Sequence, residues 1–332
     1  MDSKASDTLQ KYYDKIFQDG KLVNIHISMW GMSYNLNEDD IKLEKKLPEM
    51  IQLGKKMLIK PAVANTFKNL QSKARNYLYD NSFSFPLVSQ AHFVPKKKYL
   101  EVYEKLNQYR TEFLQLRKEF ITNYAGYKEE AIEYYKQFKD QLQIENMDKL
   151  YPDAETVASK FSFEIVSFEI KLPTEFADID IHREIALEEA AKEAQTEAAK
   201  QYKQEYTERL DTHMNKINEF VGEVIGTIRS KVVEHCSLVL KKISKKEVVT
   251  DKSISRLLEQ IGEFRQMNFV EDAAIEKELS SLETLLNRGT DFSKDADAVQ
   301  TLKTSLSGII EEAKNVSDLA SVSGQYFRKL SI

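Results

Sequence analysis

Residues 99–138 read YLEVYEKLNQYRTEFLQLRKEFITNYAGYKEEAIEYYKQF, and their large side chains recur at alternating spacings of four and three residues. This spacing is that of a heptad repeat, in which one seam of a helix faces a second helix. The seam positions are Tyr99, Tyr103, Leu106, Arg110, Phe113, Arg117, Phe120, Tyr124, Tyr127, Ala131, Tyr134 and Phe138. The repeat predicts a long helix over residues 96–145 that pairs lengthwise with another helix.

The predicted partner is the region 180–246, which contains no proline and begins with several alanines. Heptad spacing then continues through Leu210, Met214, Ile217, Val221, Val224 and Ile228. At about 1.5 Å per residue, the first helix would measure roughly 70 Å, too long for a small head to cover. We therefore expect a long antiparallel coiled coil. Residues 247–332 contain shorter helical patterns and are predicted to form a C-terminal helical bundle that covers the rest of the second helix.

Two segments alternate apolar and polar residues, which is the pattern of a half-buried strand. The first lies at 22–29 and the second at 161–172. Because a lone strand is not stable, we expect the two to pair in a small antiparallel sheet. The predicted fold class is therefore mostly α with a small β element (α+β).

The chain is predicted to divide into five parts, of which the first is an α+β head. The parts are the head at 1–95, the first long helix at 96–145, a connector at 146–179 whose strand pairs back to the head, the second long helix at 180–246, and the bundle at 247–332. The head is mildly basic and the C-terminal part is acidic. This offset is consistent with contacts inside one chain or with association between copies, and the sequence does not separate the two.

Charged and small residues inside the predicted helices indicate special contacts. Arg110 and Arg117 interrupt the seam, and an unpaired buried charge would cost several kcal/mol. Each arginine must therefore find a carboxylate or lie along the edge of the seam, and we expect acidic partners on the facing helix. Gly222 and Gly226 lie in the most apolar part of the second helix, where each glycine costs about 1 kcal/mol relative to alanine. Their spacing predicts a close crossing with the C-terminal helices.

The composition argues against several classes of protein. Basic and acidic residues nearly balance, 48 against 53, so the net charge does not favour general nucleic-acid binding. Eighteen apolar residues never run together, so we expect no membrane-spanning helix. The first twenty residues mix charged and apolar positions, which is not the pattern of a secretory signal. With the single cysteine, Cys236, these features favour a cytoplasmic protein.

The common catalytic motifs do not occur in this sequence. The chain has no phosphate loop, no dinucleotide fingerprint, no HExxH motif and no nucleophile elbow. One cysteine excludes a cysteine-based zinc site, and the five histidines lie far apart in the sequence. We therefore expect a protein that is not an enzyme, with no catalytic residues, no metal ligands and no cofactor.

Four residues are candidates for contact with a partner: Lys96, Lys97, Lys98 and Trp30. The three lysines stand at the start of a predicted helix, where cations are unfavourable by a few tenths of a kcal/mol, so a contact such as phosphate would explain them. Exposed lysines also serve solubility alone, and we favour that interpretation. Trp30 ends the first predicted strand.

The head also resembles a known family. The segments that carry the resemblance are KLVNIHISMWGMSYNL, LGKKMLIKP, FKNLQSKARNYL and FSFPLVSQAHFVP, within about residues 20–145. They are similar to an uncharacterised bacterial and bacteriophage family, classed as a domain of unknown function. Its pattern matches Val23, Ile25, Ile27 and Trp30, then Leu53, Gly54, Lys56 and Pro61, then Phe67, Leu70, Ala74 and Leu78. The resemblance implies a phage-type gene product of the kind found near MoxR-type AAA+ ATPases and von Willebrand-type domain proteins.

Three functions are consistent with these features. The leading hypothesis is a non-enzymatic helical scaffold that engages another protein, in the host cytoplasm if the chain is phage-encoded, and that forms homo-oligomers as an extension. The first alternative is a phage effector that binds and inhibits a host enzyme or defence complex. The second is a nucleic-acid-binding protein that uses the basic head, which is possible but not favoured. No membrane partner is expected.

Overall fold

The computed structural model describes residues 18–41, 47–48, 50–139, 142, 147–169, 197–245, 249–288, 292 and 295–314. The chain forms two compact units. The aromatic unit comprises Val23–Asp80 and Glu101–Ser167, and the bundle unit comprises Met1–Leu22, Asn81–Leu100 and Phe168–Ile332. Helices dominate both, and the strands are few and short. The predicted fold class, mostly α with a small β element, is confirmed.

The strands are β1 (Gly20–Ser28), β2 (Ser33–Asn35), β3 (Lys55–Met57), β4 (Phe83–Ser84), β5 (His92–Pro95) and β6 (Ser162–Phe168). The helices are α1 (Pro61–Asp80), α2 (Lys96–Thr122), α3 (Tyr124–Lys136), α4 (Ala154–Ser159), α5 (Glu197–Ser244), α6 (Asp251–Met267), α7 (Ala273–Leu286) and α8 (Ala296–Lys314). Short 3-10 helices span Glu38–Asp40 and Met147–Leu150.

The strands form one larger and one smaller antiparallel sheet. The order in the larger sheet is β4-β5-β1-β6, and β2 pairs with β3 in the smaller one. The Oγ atoms of Ser28 and Ser162 lie 2.8 Å apart, where the end of β1 meets the start of β6. Strand β6 therefore lies beside β1, which is the pairing that the alternating pattern predicts for these segments.

The core of the aromatic unit is built around Phe67 on α1. Its ring centroid lies 5.6 Å from that of Phe113, 5.9 Å from that of Phe120 and 5.0 Å from that of Phe161. Helix α1 presents one buried face to this core because its apolar residues recur every three or four positions. Each aromatic side chain removes about 150–250 Å² from water, so this cluster dominates the stability of the unit.

Helices α5 to α8 form the bundle unit's main core. Helix α5 packs against α6 and α8, and α7 packs against the same two helices, so the four helices close a ring. Its buried residues include Ile217, Val224 and Ile228 of α5 together with Leu279 of α7 and Leu306 of α8. The predicted C-terminal bundle, and its role in covering the second long helix, are present in the structure.

The predicted coiled coil between the two long helices is corrected by this arrangement. Phe113 and Phe120 of α2 are buried in the aromatic unit, while Ile217 and Val224 of α5 are buried in the bundle unit. Each seam is therefore covered by elements of its own unit. A heptad pattern specifies an apolar stripe but not what covers it. The alanine-rich start of the second helix, residues 180–196, lies outside the described residues.

The first predicted helix is also divided in two. Helix α2 ends at Thr122 and α3 begins at Tyr124, while residues 140–141 and 143–145 lie outside the described residues. The interruption is Asn123, whose side-chain Nδ2 donates a hydrogen bond to the carbonyl oxygen of Glu119, 2.8 Å away. The backbone N–H of Asn123 also donates to the carbonyl oxygen of Glu119, at 3.1 Å, and the N–H of Tyr127 donates to that of Asn123, at 3.0 Å, so the interruption is confined to this one residue.

Arg229 of α5 joins three helices of the bundle unit. Its Nε donates to Asp272 Oδ2 at 2.7 Å, and its Nη2 donates to Asp272 Oδ1 at 3.1 Å. Its Nη1 donates to the carbonyl oxygen of Glu312 in the last turn of α8, 3.2 Å away. Asp272 is the N-cap of α7 and accepts from the backbone N–H of Ile275. Both side chains of this ion pair are buried, and the pair fixes how α5, α7 and α8 meet.

We expect replacement of Arg229 by Met to lower the free energy of unfolding by about 3–5 kcal/mol, because Asp272 would be left as a buried, uncompensated charge. The matched control is Lys241→Met in the exposed last turn of α5, where the loss should be below about 1 kcal/mol. Urea unfolding followed by circular dichroism measures both. Equal losses in the two variants would contradict the role of Arg229.

The rate at which a thiol reagent labels Cys236 gives a second measurement on the same variants. It is the only cysteine of the chain, it is buried on α5, and burial raises the pKa of its thiol to about 12. Because the thiolate is the reactive form, a thiol reagent should label the native protein slowly. Labelling should become faster in the Arg229→Met variant and stay slow in the Lys241→Met variant.

Candidate functional site

The loop before β3 presents the most exposed large apolar side chain among the described residues. Met50 is 97% exposed, and its neighbour Ile51 is 54% exposed. We call these two residues the apolar tip. The backbone N–H of Ile51 donates to the carbonyl oxygen of Pro48 at 2.9 Å, which closes a turn at the tip. The N–H of Leu36 donates to the carbonyl oxygen of Gly54 at 3.0 Å, which ties the end of the loop to the end of β2.

A buried ion pair anchors the strand that follows this loop. Lys56 of β3 is 8% exposed, and its Nζ donates to both carboxylate oxygens of Asp40 at 2.7 Å. The N–H of Asn37 also donates to Asp40 Oδ2 at 2.8 Å. Burial raises the pKa of Asp40, but the hydrogen bonds from Lys56 and Asn37 and the charge of Lys56 outweigh it and lower that pKa. The ion pair between the Lys56 ammonium and Asp40 therefore holds β3 in place.

Two tyrosines fix the other end of β3. Tyr135 donates its hydroxyl hydrogen to the carbonyl oxygen of Met57 at 2.9 Å, and Tyr151 donates to that of Leu58 at 2.8 Å. Burial raises the pKa of both phenols, so they remain protonated donors at neutral pH. The N–H of Leu58 in turn donates to the carbonyl oxygen of Met32 at 2.9 Å. The loop before β3 therefore has a fixed base and an exposed apolar tip.

Trp30 takes part in the core of the aromatic unit. Its ring lies edge-on to Tyr124, with centroids 5.7 Å apart, and 6.4 Å from the ring of Phe120. The side chain is half-buried. Its observed contacts are packing contacts, and the predicted contact with a partner stays a prediction.

The three candidate lysines do not form one exposed cluster. Lys96 and Lys97 are exposed at the start of α2, whereas Lys98 is 3% exposed. At 3.6 residues per turn, three consecutive residues span more than half of the helix circumference, so one of them faces inward. The basic surface that the nucleic-acid alternative requires is smaller here than the sequence suggests.

In the part of the chain that the structure describes, the two seam arginines do not meet acidic side chains on a facing helix as predicted. Arg110 is exposed, and Arg117 donates from Nε to the carbonyl oxygen of Ala158 at 3.1 Å. Ala158 lies in the last turn of α4, where carbonyl groups carry partial negative charge, and its carbonyl oxygen also accepts from the N–H of Phe161 at 3.3 Å. A helix C-terminus therefore takes the place of the expected carboxylate for Arg117.

The predicted close helix crossing is not found at Gly226. Gly222 is buried, but Gly226 is half-buried, and a Cβ added to it would meet no heavy atom within 4 Å. The carbonyl oxygen of Gly226 accepts a hydrogen bond from Ser230 Oγ at 2.8 Å. Helix α5 contacts its neighbours through its larger apolar residues instead, so the expected steric reason for glycine at 226 is wrong.

One of the comparisons with known proteins identifies a family for this chain. Residues 18–281 match the model of a family described as "Protein of unknown function (DUF3150)". The chain belongs to this family. The matched region includes the whole loop before β3 and most of the bundle, so the DUF3150 family covers far more than the segment that carried the resemblance. Neither the curated proteins nor the solved structures give a match to this DUF3150 chain.

The described residues of the DUF3150 chain have two further properties. In the part of the chain that the structure describes, no helix has the length and apolar character to cross a membrane. Within the same residues, no group of three or more histidine, cysteine or carboxylate side chains is arranged to hold a metal ion.

Three residues that matter here were not among the predicted site residues: Asp40, Met50 and Arg229. Lys56 was part of the resemblance, but its partner Asp40 lies sixteen residues away in a polar segment with no periodic pattern. Pro48 and Gly54 are turn signals and do mark the ends of the loop with Met50. Arg229 follows Ile228 on the apolar part of α5, and a charge at such a position signals a buried ion pair.

We expect Asp40→Asn to lower the free energy of unfolding by about 2 kcal/mol near neutral pH, because Lys56 loses its charged acceptor. The folded-state pKa of Asp40 lies below its ordinary value of 3.8. Its contribution is therefore fully present above that value and is lost as the pH falls through the lower, folded-state pKa. The difference in stability between wild type and Asp40→Asn should shrink over that acidic range.

The control for this prediction is Glu133→Gln, which breaks an exposed pair with Lys136 on α3. Exposed pairs contribute about 0–1 kcal/mol, so this variant should unfold almost as the wild type does. Urea unfolding at several pH values measures both variants. A difference between wild type and Asp40→Asn that stays constant down to strongly acidic pH would contradict the prediction.

Proposed function

We propose that this DUF3150 chain acts by binding another protein, and that the apolar tip makes the central contact. The observation that carries the proposal is the contrast between the base and the tip of the loop before β3. The ion pair of Lys56 with Asp40 holds the base, while Met50 and Ile51 extend into solvent. Exposed apolar groups with polar surroundings are typical of protein–protein contact sites.

The surroundings of the tip support this function. Gln52 and Lys55 are exposed beside it, which gives an apolar centre with a polar rim. Methionine adapts its shape to a partner because its side chain is unbranched and polarizable. Burial of the two tip side chains would contribute about 1.5–3 kcal/mol each. A loop whose base is already fixed loses less conformational entropy on binding.

The resemblance noted in the sequence supports a particular setting for this contact. It implies a phage-type gene product of the kind found near MoxR-type AAA+ ATPases, which makes such an ATPase system a natural source of the partner. We propose this class of partner first, with the scaffold acting in the cytoplasm of the cell that makes it. The contact itself requires only a partner surface with an apolar pocket of the size of methionine.

The test is affinity capture from the cell that naturally produces the chain, read by mass spectrometry, with three tagged forms. The forms are the wild type, Met50→Ser with Ile51→Ser, and Tyr79→Ser. Tyr79 is the matched control because it is an apolar residue of the same unit that is 67% exposed at the end of α1. We expect a protein that the wild type and Tyr79→Ser retain and that the tip variant loses.

The captured protein is then purified and titrated against the same three forms. The tip variant should bind at least about tenfold more weakly, which corresponds to about 1.4 kcal/mol or more. The control should bind within about twofold of the wild type. Equal affinities of the tip variant and the wild type, with both folded by circular dichroism, would refute the proposed role of the apolar tip.

A further inference from the structure

The outer face of α5 carries an ordered pattern of charge. Its exposed residues between 219 and 245 are, in order, Glu219, Glu223, Thr227, Lys231, Glu234, Leu238, Lys241, Lys242, Ser244 and Lys245. We call this row, apart from Ser244, the α5 stripe. The N-terminal end of the stripe is acidic and its C-terminal end is basic. Leu238 is 54% exposed in its basic half, although every neighbouring apolar residue of α5 faces the bundle core or packs against it.

The charge pattern of the α5 stripe is complementary to that of a second α5 stripe that runs in the opposite direction. Apart from Lys241, each member has a counterpart at the same distance, to within one residue, from the midpoint of Val232 and Val233, and three of the four resulting pairs join opposite charges. The pairs are Glu219 with Lys245, Glu223 with Lys242, Thr227 with Leu238, and Lys231 with Glu234. In an antiparallel pair of α5 helices, these are the residues that face each other.

We infer that the α5 stripe binds a second copy of this chain, with the two α5 helices antiparallel about a two-fold axis. A two-fold interface uses the same patch on both copies, so every complementary pair occurs twice. The axis places Leu238 of each copy against the methyl group of Thr227 of the other, which covers the exposed leucine. A parallel arrangement would set Glu against Glu and Lys against Lys, and repulsion excludes it.

Charge complementarity selects a second copy over other partners. An acidic partner would fit only the basic end of the stripe, and a basic partner only the acidic end, whereas a second copy satisfies both ends. Exposed ion pairs contribute little each, about 0–1 kcal/mol, so the dimer depends on several acting together. Salt screens such pairs, so the association must weaken as the ionic strength rises. This surface is separate from the loop before β3 and does not rest on the proposed function.

The experiment measures the molar mass of the purified chain in solution, with no other protein present, by light scattering coupled to size exclusion. We expect a dimer at about 50 mM salt and a shift toward monomer at about 500 mM salt, since the Debye length falls from above 10 Å to below 5 Å over this range. A monomer mass at low salt, at protein concentrations up to about 100 µM, would overturn the inference because affinities weaker than this belong to non-specific contacts.

Two charge-reversed variants test the pairing of charges across the dimer. The basic variant carries Glu219→Lys and Glu223→Lys, and the acidic variant carries Lys242→Glu and Lys245→Glu. Each should be monomeric alone, because its two copies repel at both ends. An equimolar mixture of the two should form a heterodimer, since every facing pair of charged residues is then again of opposite charge. Dimers of either variant alone, or no heterodimer in the mixture, would overturn the inference.

The control reverses two charges elsewhere on the same unit. Glu259→Lys with Glu263→Lys changes two exposed residues of α6 and alters the net charge as the basic variant does. It should dimerise as the wild type does. Circular dichroism and slow labelling of Cys236 establish that each variant is folded. If one reversed variant does not fold, the salt dependence of the wild type and the single change Leu238→Lys, which should weaken dimerisation at least about tenfold, decide the matter.

Discussion

A charge that is removed from water has to be paired, and this constraint shapes both compact units. In the bundle unit, Arg229 reaches the N-cap carboxylate of α7 and a terminal carbonyl of α8 from the middle of α5. In the aromatic unit, Lys56 bonds to both oxygens of Asp40. Apolar packing alone would allow the helices and strands to slide against each other. The paired charges fix one arrangement of the elements that carry them.

The pairing of buried charges also bears on the proposed contact with a partner protein. A binding loop is useful when its tip is available and its base does not have to be ordered on binding. The loop before β3 meets this condition because Lys56, Tyr135 and Tyr151 hold the strand that follows it. The residues of the family pattern in this region, such as Gly54 and Lys56, lie in the base of the loop rather than at its tip.

The heptad positions of α2 pack against aromatic side chains of the same unit, not against a second long helix as the periodicity suggests. Phe113 and Phe120 were expected to face a second long helix, but they meet Phe67 of α1 and Phe161 at the start of β6. Wide, flat rings pack edge to face around a centre, and they fill the space between a helix and a sheet as well as that between two helices. The seam was correctly located, and its partner was not.

Local patterns in the sequence were enough to locate the buried faces of α1, α2 and α5, to place β1 and β6 as strands, and to assign the fold class, because periodicity and turn residues act over a few positions. They did not supply the partners: Asp40 for Lys56, Ala158 for Arg117, Asp272 for Arg229, or α8 rather than α2 for α5. Those pairings join residues that are distant in the chain. They depend on which apolar surfaces pack together in the folded protein and on which buried charges then need a partner. The exposure of Met50 and of the α5 stripe belongs to the same class, since a side chain is exposed only where the rest of the fold leaves it uncovered.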